Sequence, residues 1–489
     1  LIGKDQDSSG CSASPAQEPL SDSDADLVPG WGELLRGRNL LRSLALSGGV
    51  AIHAVNLYLA TTILPSVVSD IGGLEFYAWN TTVYVVGSII GAAVAAQFLG
   101  RWGPRTAYAW PAAVFALASV ICALASSMPM LLVGRSVQGL AGGVLVALPY
   151  ALVRIVFRPQ LWPRALAMVS GMWGVSTLFG PALGGVFAEL GMWRAAFWSL
   201  LPLIALFIFI GMKVLPPRAA QPAAPVPLPW LQLVILTLAV LAASIASVGE
   251  SIFAVLSWLV AGIVLLAGFD RAQRLARHRL LPRGSLRTSS PLGALYAMLA
   301  LLAVAVTATE IFVPLFLQDL HGRPPLQAGY LAALMSVGWT LGSLFTSGLT
   351  GARRTIALRL SPVLLLAAIV ALVILMPRPS ADAGLLWALA SVLIVAGFGV
   401  GIAYPHLSAC VLAVAPADEP DLAASSIMTV QLCATAFGAA LAGLIVNLAG
   451  RPTIDGSAMD VAAAARWLFS VFALAPALCL VLIWKPARD

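Results

Sequence analysis

The chain has 489 residues, of which 60% are hydrophobic and only 10% charged, with a formal net charge of +7. A soluble domain is roughly 25% charged, and at a mean hydropathy of +0.93 this chain cannot build a water-facing surface, so lipid is its solvent. The positive balance does not indicate a nucleic-acid partner, because no basic run is interleaved with aromatic residues; arginines anchoring cytoplasmic loops account for it.

In chain order, residues 1–35 are rich in Ser, Asp and Pro and read as a disordered cytoplasmic tail. They lack the basic-then-apolar order of a secretory signal. From residue 42 onward, apolar runs of roughly 20 residues recur, each long enough to cross the hydrocarbon as a helix. The runs are continuous rather than alternating, which excludes the strands of a membrane barrel. Runs at 42–66, 76–99, 106–126, 129–157, 162–188 and 193–215 give an N-terminal six-helix bundle within 36–215. A proline-rich stretch then leads to runs at 230–248 and 250–268 and an arginine-rich cytoplasmic segment, Arg271 to Arg287, together filling 216–290. Runs at 291–318, 326–350, 356–377, 383–413, 421–448 and 463–484 give a C-terminal six-helix bundle within 291–489. The expected fold is all-α integral membrane: two pseudo-symmetric six-helix bundles plus two additional central helices, fourteen transmembrane helices in all.

Cytoplasmic loops hold most of the Lys and Arg of a membrane protein. With the N-terminus inside, the loops carrying Arg36 to Arg42, Arg101 and Arg105, Arg154 to Arg164, Arg271 to Arg287 and Arg353 to Arg359 all face the cytoplasm, and both termini lie there. Only isolated arginines such as Arg194, Arg323 and Arg378 fall on the other side. The arginine-rich segment after the central pair reads as an amphipathic linker lying on anionic lipid.

The halves also echo one another. Phe179-Gly180-Pro181-Ala182-Leu183-Gly184-Gly185 returns as Phe437-Gly438-Ala439-Ala440-Leu441-Ala442-Gly443, and Gly103-Pro104-Arg105-Thr106 returns as Gly351-Ala352-Arg353-Arg354-Thr355. Both echoes keep their membrane orientation, the parallel repeat of a molecule that can rock about a central cavity.

Three patterns carry a family likeness. Gly180-Pro181-Ala182-Leu183-Gly184-Gly185 is similar to the antiporter signature G-P-x-x-G-G, with small residues one turn apart and a proline that permits a bend. Arg135-Ser136-Val137-Gln138-Gly139 is similar to R-x-x-Q-G, placing Arg135 and Gln138 on one helix face. Arg101 and Arg105 stand in a loop similar to G-x-x-x-D-R-x-G-R-R, although its opening Gly is Ala96 and its Asp is Gly100. On these motifs the chain resembles the major facilitator superfamily, and within it the fourteen-span drug:proton antiporters. Those antiporters often carry an Asp in the first span where this chain has Asn56, so the amide here cannot titrate.

Ionisable groups inside a bundle are costly and mark function. Glu310, in the first helix of the second half, is expected to couple transport to protons, as against a static pair with Arg135 or another cation, or a place in an extracellular mouth; the resemblance implicates Arg135 in the same coupling, and His53 could shuttle protons. Asn56, Tyr58, Asn80, Tyr84, Gln138, Trp173, Phe312, Trp339 and Gln431, together with Trp79, are expected to line a substrate cavity, ring faces suiting planar or cationic groups. The scattered cysteines give no disulfide framework or metal cluster, and no cofactor is expected. The function implied is proton-coupled efflux of a hydrophobic or amphipathic small molecule across the inner membrane by a monomer. A solute:proton symporter or lipid-related exporter is the alternative. An enzyme is disfavoured, since phosphate-binding and metalloprotease motifs are missing, and a receptor, since it would not need a duplicated six-helix half.

Overall fold

Inside hydrocarbon a backbone amide has no water to bond, so an apolar run must satisfy its hydrogen bonds within a helix. The structure, a computed structural model, describes residues 31–158, 161–217, 228–249, 251–346, 349, 351–378, 382–416, 419–449 and 460–484. Its first-half helices are α1 (Trp31–Leu34), α2 (Gly37–Ile71), α3 (Trp79–Ala123), α4 (Met128–Val156), α5 (Trp162–Glu189) and α6 (Trp193–Val214). A central pair follows, α7 (Trp230–Ser247) and α8 (Ile252–Leu275). The second half holds α9 (Pro291–Asp319), α10 (Pro325–Thr346), α11 (Gly351–Leu375), α12 (Ala383–Gly401), α13 (Tyr404–Ala413), α14 (Pro420–Ala449), α15 (Val461–Phe472) and α16 (Leu474–Trp484). The expected tail lies outside the described residues up to position 30; beyond it α1 departs from that reading, with Leu34 fully buried.

Twelve helical segments among the described residues are long and apolar enough to cross a membrane. One of them spans Leu74–Ala123, 50 residues, roughly 75 Å of helix where a crossing takes roughly 30 Å. It folds back at Gly103, whose φ of 75° and ψ of 168° interrupt the helical path. The two arms run along α4 in opposite senses: Tyr84 and Ser88 lie against Gly139 and Gly143, whereas Phe115 and Cys122 lie against Gly142 and Gly134. The break falls between the two spans read from the sequence. Elsewhere proline does the breaking. Pro405 has no N–H to give, and the 383–413 run divides into α12 and α13 just before it.

The halves repeat in packing as well as in sequence. In the first, Gly87 and Gly91 of α3 seat against Ser136 and Leu140 of α4, while Gly139 and Gly143 of α4 seat against Tyr84 and Ser88. In the second, Gly338 and Gly342 of α10 seat against Ile394 and Phe398 of α12, while Gly397 and Gly401 seat against Met335 and Trp339. Without a hydrophobic drive between helices in lipid, such close backbone approach is what joins them. The longer echo behaves the same way. Gly180 packs on Tyr58 of α2 and Gly438 on Thr307 of α9, each within its own half; Gly185 meets Leu326 and Gly443 meets Ala78, each in the opposite half.

The central pair is peripheral. α7 packs along α14 and, to a smaller extent, on α3, whereas α8 packs on α7 with only 17% of its apolar window buried. The segment after α8 departs from the lipid-lying reading. Leu280 and Leu281 are buried in protein, and Arg279 and Arg283 approach Glu419 at 3.7 and 3.6 Å. Arg271, Arg277 and Arg287 remain exposed.

Candidate functional site

A cavity lies where the halves meet. Leu57, Tyr58, Thr61, Thr62, Thr81 and Pro181 wall it from the first half, and Thr307, Glu310, Ile311, Pro314, Gly329, Ala332, Ala333, Ser336 and Thr435 from the second. Helical spacing explains the lining. Thr61 and Thr62 follow Tyr58 by one turn of α2, and Thr307 precedes Glu310 by one turn of α9, so each pair shares a face. The threonine hydroxyls of α2 turn back on their own helix, Thr62 donating to the Tyr58 carbonyl at 2.8 Å, and Thr307 does the same to Ala303 at 2.8 Å. These hydroxyls are therefore satisfied by their own helices, whereas the buried Thr81 hydroxyl of the same wall has no hydrogen-bond partner among the described residues. Across the space, the Tyr58 and Ser336 hydroxyls hydrogen-bond at 3.3 Å and tie the halves together.

The space open to water is about 40 Å³, well short of the roughly 300 Å³ of a small-molecule pocket. At the arginine-poor end the halves are in contact: Glu189 accepts from the Leu326 amide at 3.1 Å, and Asn447 donates to the Glu75 carbonyl at 2.7 Å. A Cβ on Gly185 would stand 2.5 Å from Leu326 Cα. The G-P-x-x-G-G stretch thus faces two ways, with Gly180 and Gly184 bedding α5 on α2, and Pro181 and Gly185 bedding it on α10.

Among the described residues, Glu310 is the one acidic residue of the lining, and no Lys, Arg or His accompanies it there. The static pair with Arg135 that the sequence left open is not formed. Arg135 belongs to a separate buried cluster. It is fully buried, its Nη1 donates to Gln138 Oε1 at 2.9 Å, its Nε reaches the Asn80 carbonyl at 3.4 Å, and its guanidinium lies 4.1 Å from the centre of the Tyr84 ring. Gln138 donates to Ser119 Oγ at 2.9 Å and receives Asn56 Nδ2 at a long 3.4 Å. The Tyr84 hydroxyl stands 2.9 Å from His53 Nδ1 and 3.0 Å from the His53 carbonyl oxygen. Trp173 meets the His53 ring edge-on at 5.8 Å. Among the described residues no carboxylate pairs with Arg135; neutral acceptors and a ring face solvate its charge.

The structure therefore splits the residues singled out by sequence. Tyr58, Glu310 and Pro181 line the cavity; Asn56, Asn80, Tyr84, Gln138, Arg135 and His53 form the buried cluster, with Trp173 at its edge. Trp339 and Gln431 converge on Tyr404, the first at 5.2 Å between ring centres and the second by a hydrogen bond from the Tyr404 hydroxyl. Phe312 is packed between Tyr77 and Phe316 at 5.3 and 5.9 Å, away from the cavity. Trp79 donates its indole N–H to the Ser244 carbonyl at 3.0 Å on α7. Arg101 lies exposed beside Trp102, and Arg105 donates to the Leu215 carbonyl at 3.2 Å, closing the end of α6. Sequence reading passed over Ser336, Thr435 and Tyr404, because a hydroxyl inside an apolar run carries no periodic signal until its neighbours across the halves are known.

Comparison with known proteins agrees with this architecture. Residues 46–432 match the family described as the Major Facilitator Superfamily. The chain belongs to that superfamily. It is a multi-pass membrane transporter handling a small-molecule substrate. It is 39% identical, over 90% of its length and 93% of the relative's, to a protein of Mycobacterium tuberculosis (strain ATCC 25618 / H37Rv) named a probable multidrug-efflux transporter. It is 22% identical to Multidrug resistance protein 3 of Bacillus subtilis (strain 168), covering 75% of this chain and 71% of that one. Its fold is similar to that of a D-xylose-proton symporter, with a TM-score of 0.65 at 14% identity over 92% of this chain and 98% of the other. A bacterial homolog of the human lysosomal transporter Spinster gives 0.63 at 15% identity over 92% and 97%.

Proposed function

We propose that this transporter exports hydrophobic or amphipathic small molecules in exchange for protons, by alternating access of the cavity at Glu310. The supporting reading has fourteen crossings, both termini at the arginine-rich, cytoplasmic face of the inner membrane, and one chain as the working unit. The observation that carries the proposal is Glu310 in a cavity walled by both halves and, among the described residues, lined by no cation. An ionised carboxylate in such a place has no resident counter-charge, so a proton or a cationic substrate must neutralise it before the cavity crosses the membrane. Alternation of the two gives exchange. The relative named for multidrug efflux supports export; Tyr58, Thr81 and Ser336 give the substrate rings and hydroxyls without a rigid hydrogen-bond template, which suits broad specificity.

A growth screen of producing cells against a compound panel identifies the substrate. Everted vesicles holding a lumenal acid gradient then release protons when that compound is added, and Glu310→Gln reduces this release at least tenfold while leaving the protein folded. A full signal in Glu310→Gln removes the residue from coupling. Proton movement in the same direction as the compound indicates symport, and transport indifferent to every ion gradient indicates a facilitator.

A further inference from the structure

Among the described residues the α7–α8 pair is hydrogen-bonded to the second half at both of its ends, and it meets the first half, to a smaller extent, along α3. At the arginine-rich end, Arg279 and Arg283 flank Glu419 just ahead of α14, and the Arg283 amide donates to the same carboxylate at 2.8 Å. Ser426 of α14 donates to the Leu280 carbonyl at 3.2 Å. This segment is in turn fastened to the pair: Gln232 of α7 donates to the His278 carbonyl at 3.1 Å, and Gln273 of α8 accepts from the Leu280 amide at 3.1 Å. At the arginine-poor end, Asn447 of α14 donates to the Ser247 carbonyl at 3.0 Å. The first half contributes Trp79, whose indole reaches the Ser244 carbonyl at 3.0 Å and Ser247 Oγ at 3.3 Å.

We infer that the α7–α8 pair travels as part of the second half and braces the arginine-poor mouth, with Trp79 docking on α7 when that mouth closes and leaving it when the mouth opens. The asymmetry of fastening is the argument. A helix pair held by charge-assisted and backbone bonds at two ends of α14 moves with α14, while the smaller contact with α3, hydrogen-bonded through Trp79 at one end, is the place that yields. The location agrees, because Gly443 meets Ala78 at the same junction and Asn447 bridges Ser247 to the Glu75 carbonyl of the first half. The pair would thereby be a third element closing the mouth, beside the contact of α5 with α10.

The inference rests on the alternating-access reading only in requiring the mouth to open. Distances report that motion independently of substrate or coupling ion, so failure of proton exchange and failure of the brace are separable. The full chain, with its native cysteines replaced, is spin-labelled in lipid nanodiscs at the exposed positions Leu256 of α8, Leu448 of α14 and Leu124 after α3, and distances are compared with and without Gly185→Leu, a wedge between α5 and α10. The Leu256 to Leu448 distance is expected to change by less than about 2 Å, the scale of small helix shifts, while Leu256 to Leu124 and Leu124 to Leu448 lengthen together. In the chain without the wedge, Trp79→Phe, which keeps a ring but loses the donor, raises the lengthened fraction several-fold. Lengthening between Leu256 and Leu448 overturns the inference, as does a fixed Leu256 to Leu124 distance while the mouth opens. A mouth that stays shut under the wedge overturns it too, since Gly185 and Trp79 would then not close one opening. No response to Trp79→Phe removes the docking role.

Discussion

Arg135 shows how a single side chain is accommodated where its charge should be prohibitive. A guanidinium keeps its proton under all relevant conditions, and here its planar fork meets Gln138, the Asn80 carbonyl and the face of Tyr84 at once. Lysine would offer one flexible point charge to the same surroundings and could not make those contacts together. Arg135→Lys is therefore expected to cost roughly 2 kcal/mol, in the range for breaking a buried hydrogen-bonded charge site, read as a clear fall in melting temperature in detergent; an unchanged melting temperature would show that the fork geometry is dispensable. The importance of Arg135 was legible in the sequence, since a buried cation is rare at any depth. Its partners were legible only in part: Gln138 follows from helical spacing, whereas Asn80 and Tyr84 come from another helix. Phe312 teaches the converse, for an aromatic residue two positions from Glu310 points to the opposite side of α9, into packing with Tyr77 and Phe316.

Among elements, the glycine seams of α3 with α4 and α10 with α12 make a comparative prediction. A Cβ on Gly139 would stand 2.1 Å from the Tyr84 carbonyl oxygen, and one on Gly397 1.7 Å from that of Met335. Backbone cannot swing aside as a side chain can, so Gly139→Ala and Gly397→Ala should each destabilise by at least about 1 to 3 kcal/mol, the cost of overpacking. Gly268 on α8 has open space around its Cβ position, and Gly268→Ala should be neutral or gain roughly 0.5 to 1 kcal/mol from helix propensity. Thermal unfolding of the three purified variants side by side checks this; equal behaviour would mean the seams are slack. The spans themselves were legible because apolar length is a local property. The fold at Gly103 and the division of α12 from α13 lay near Gly and Pro, so their places could be anticipated, but the seams require knowing which helices are neighbours.

For the whole molecule, the closed arginine-poor mouth depends on α5 meeting α10, and Gly185 is a point of close approach, its Cβ position lying 2.5 Å from Leu326 Cα. Gly185→Leu is expected to favour the opened mouth by roughly 1 to 3 kcal/mol of relieved overpacking, so that Thr62→Cys in a background without other cysteines gains several-fold in reaction rate with an impermeant maleimide applied from that side. No gain would place the gate elsewhere. The internal repeat makes this contact one of a pair, since Gly443 meets Ala78 across the same division; loosening either should act in the same direction. By itself the sequence determined the solvent, the helical class, the repeat and the residues whose burial demands a reason, because hydropathy and spacing along one helix are written in one dimension. The tertiary structure alone decided that Glu310 stands apart from Arg135, that Tyr58 bonds Ser336 across the cavity, and that the basic segment after α8 clasps α14. Those facts depend on which faces meet between helices hundreds of residues apart, and in a chain apolar on nearly every face the pattern of hydrophobicity does not distinguish one neighbour from another.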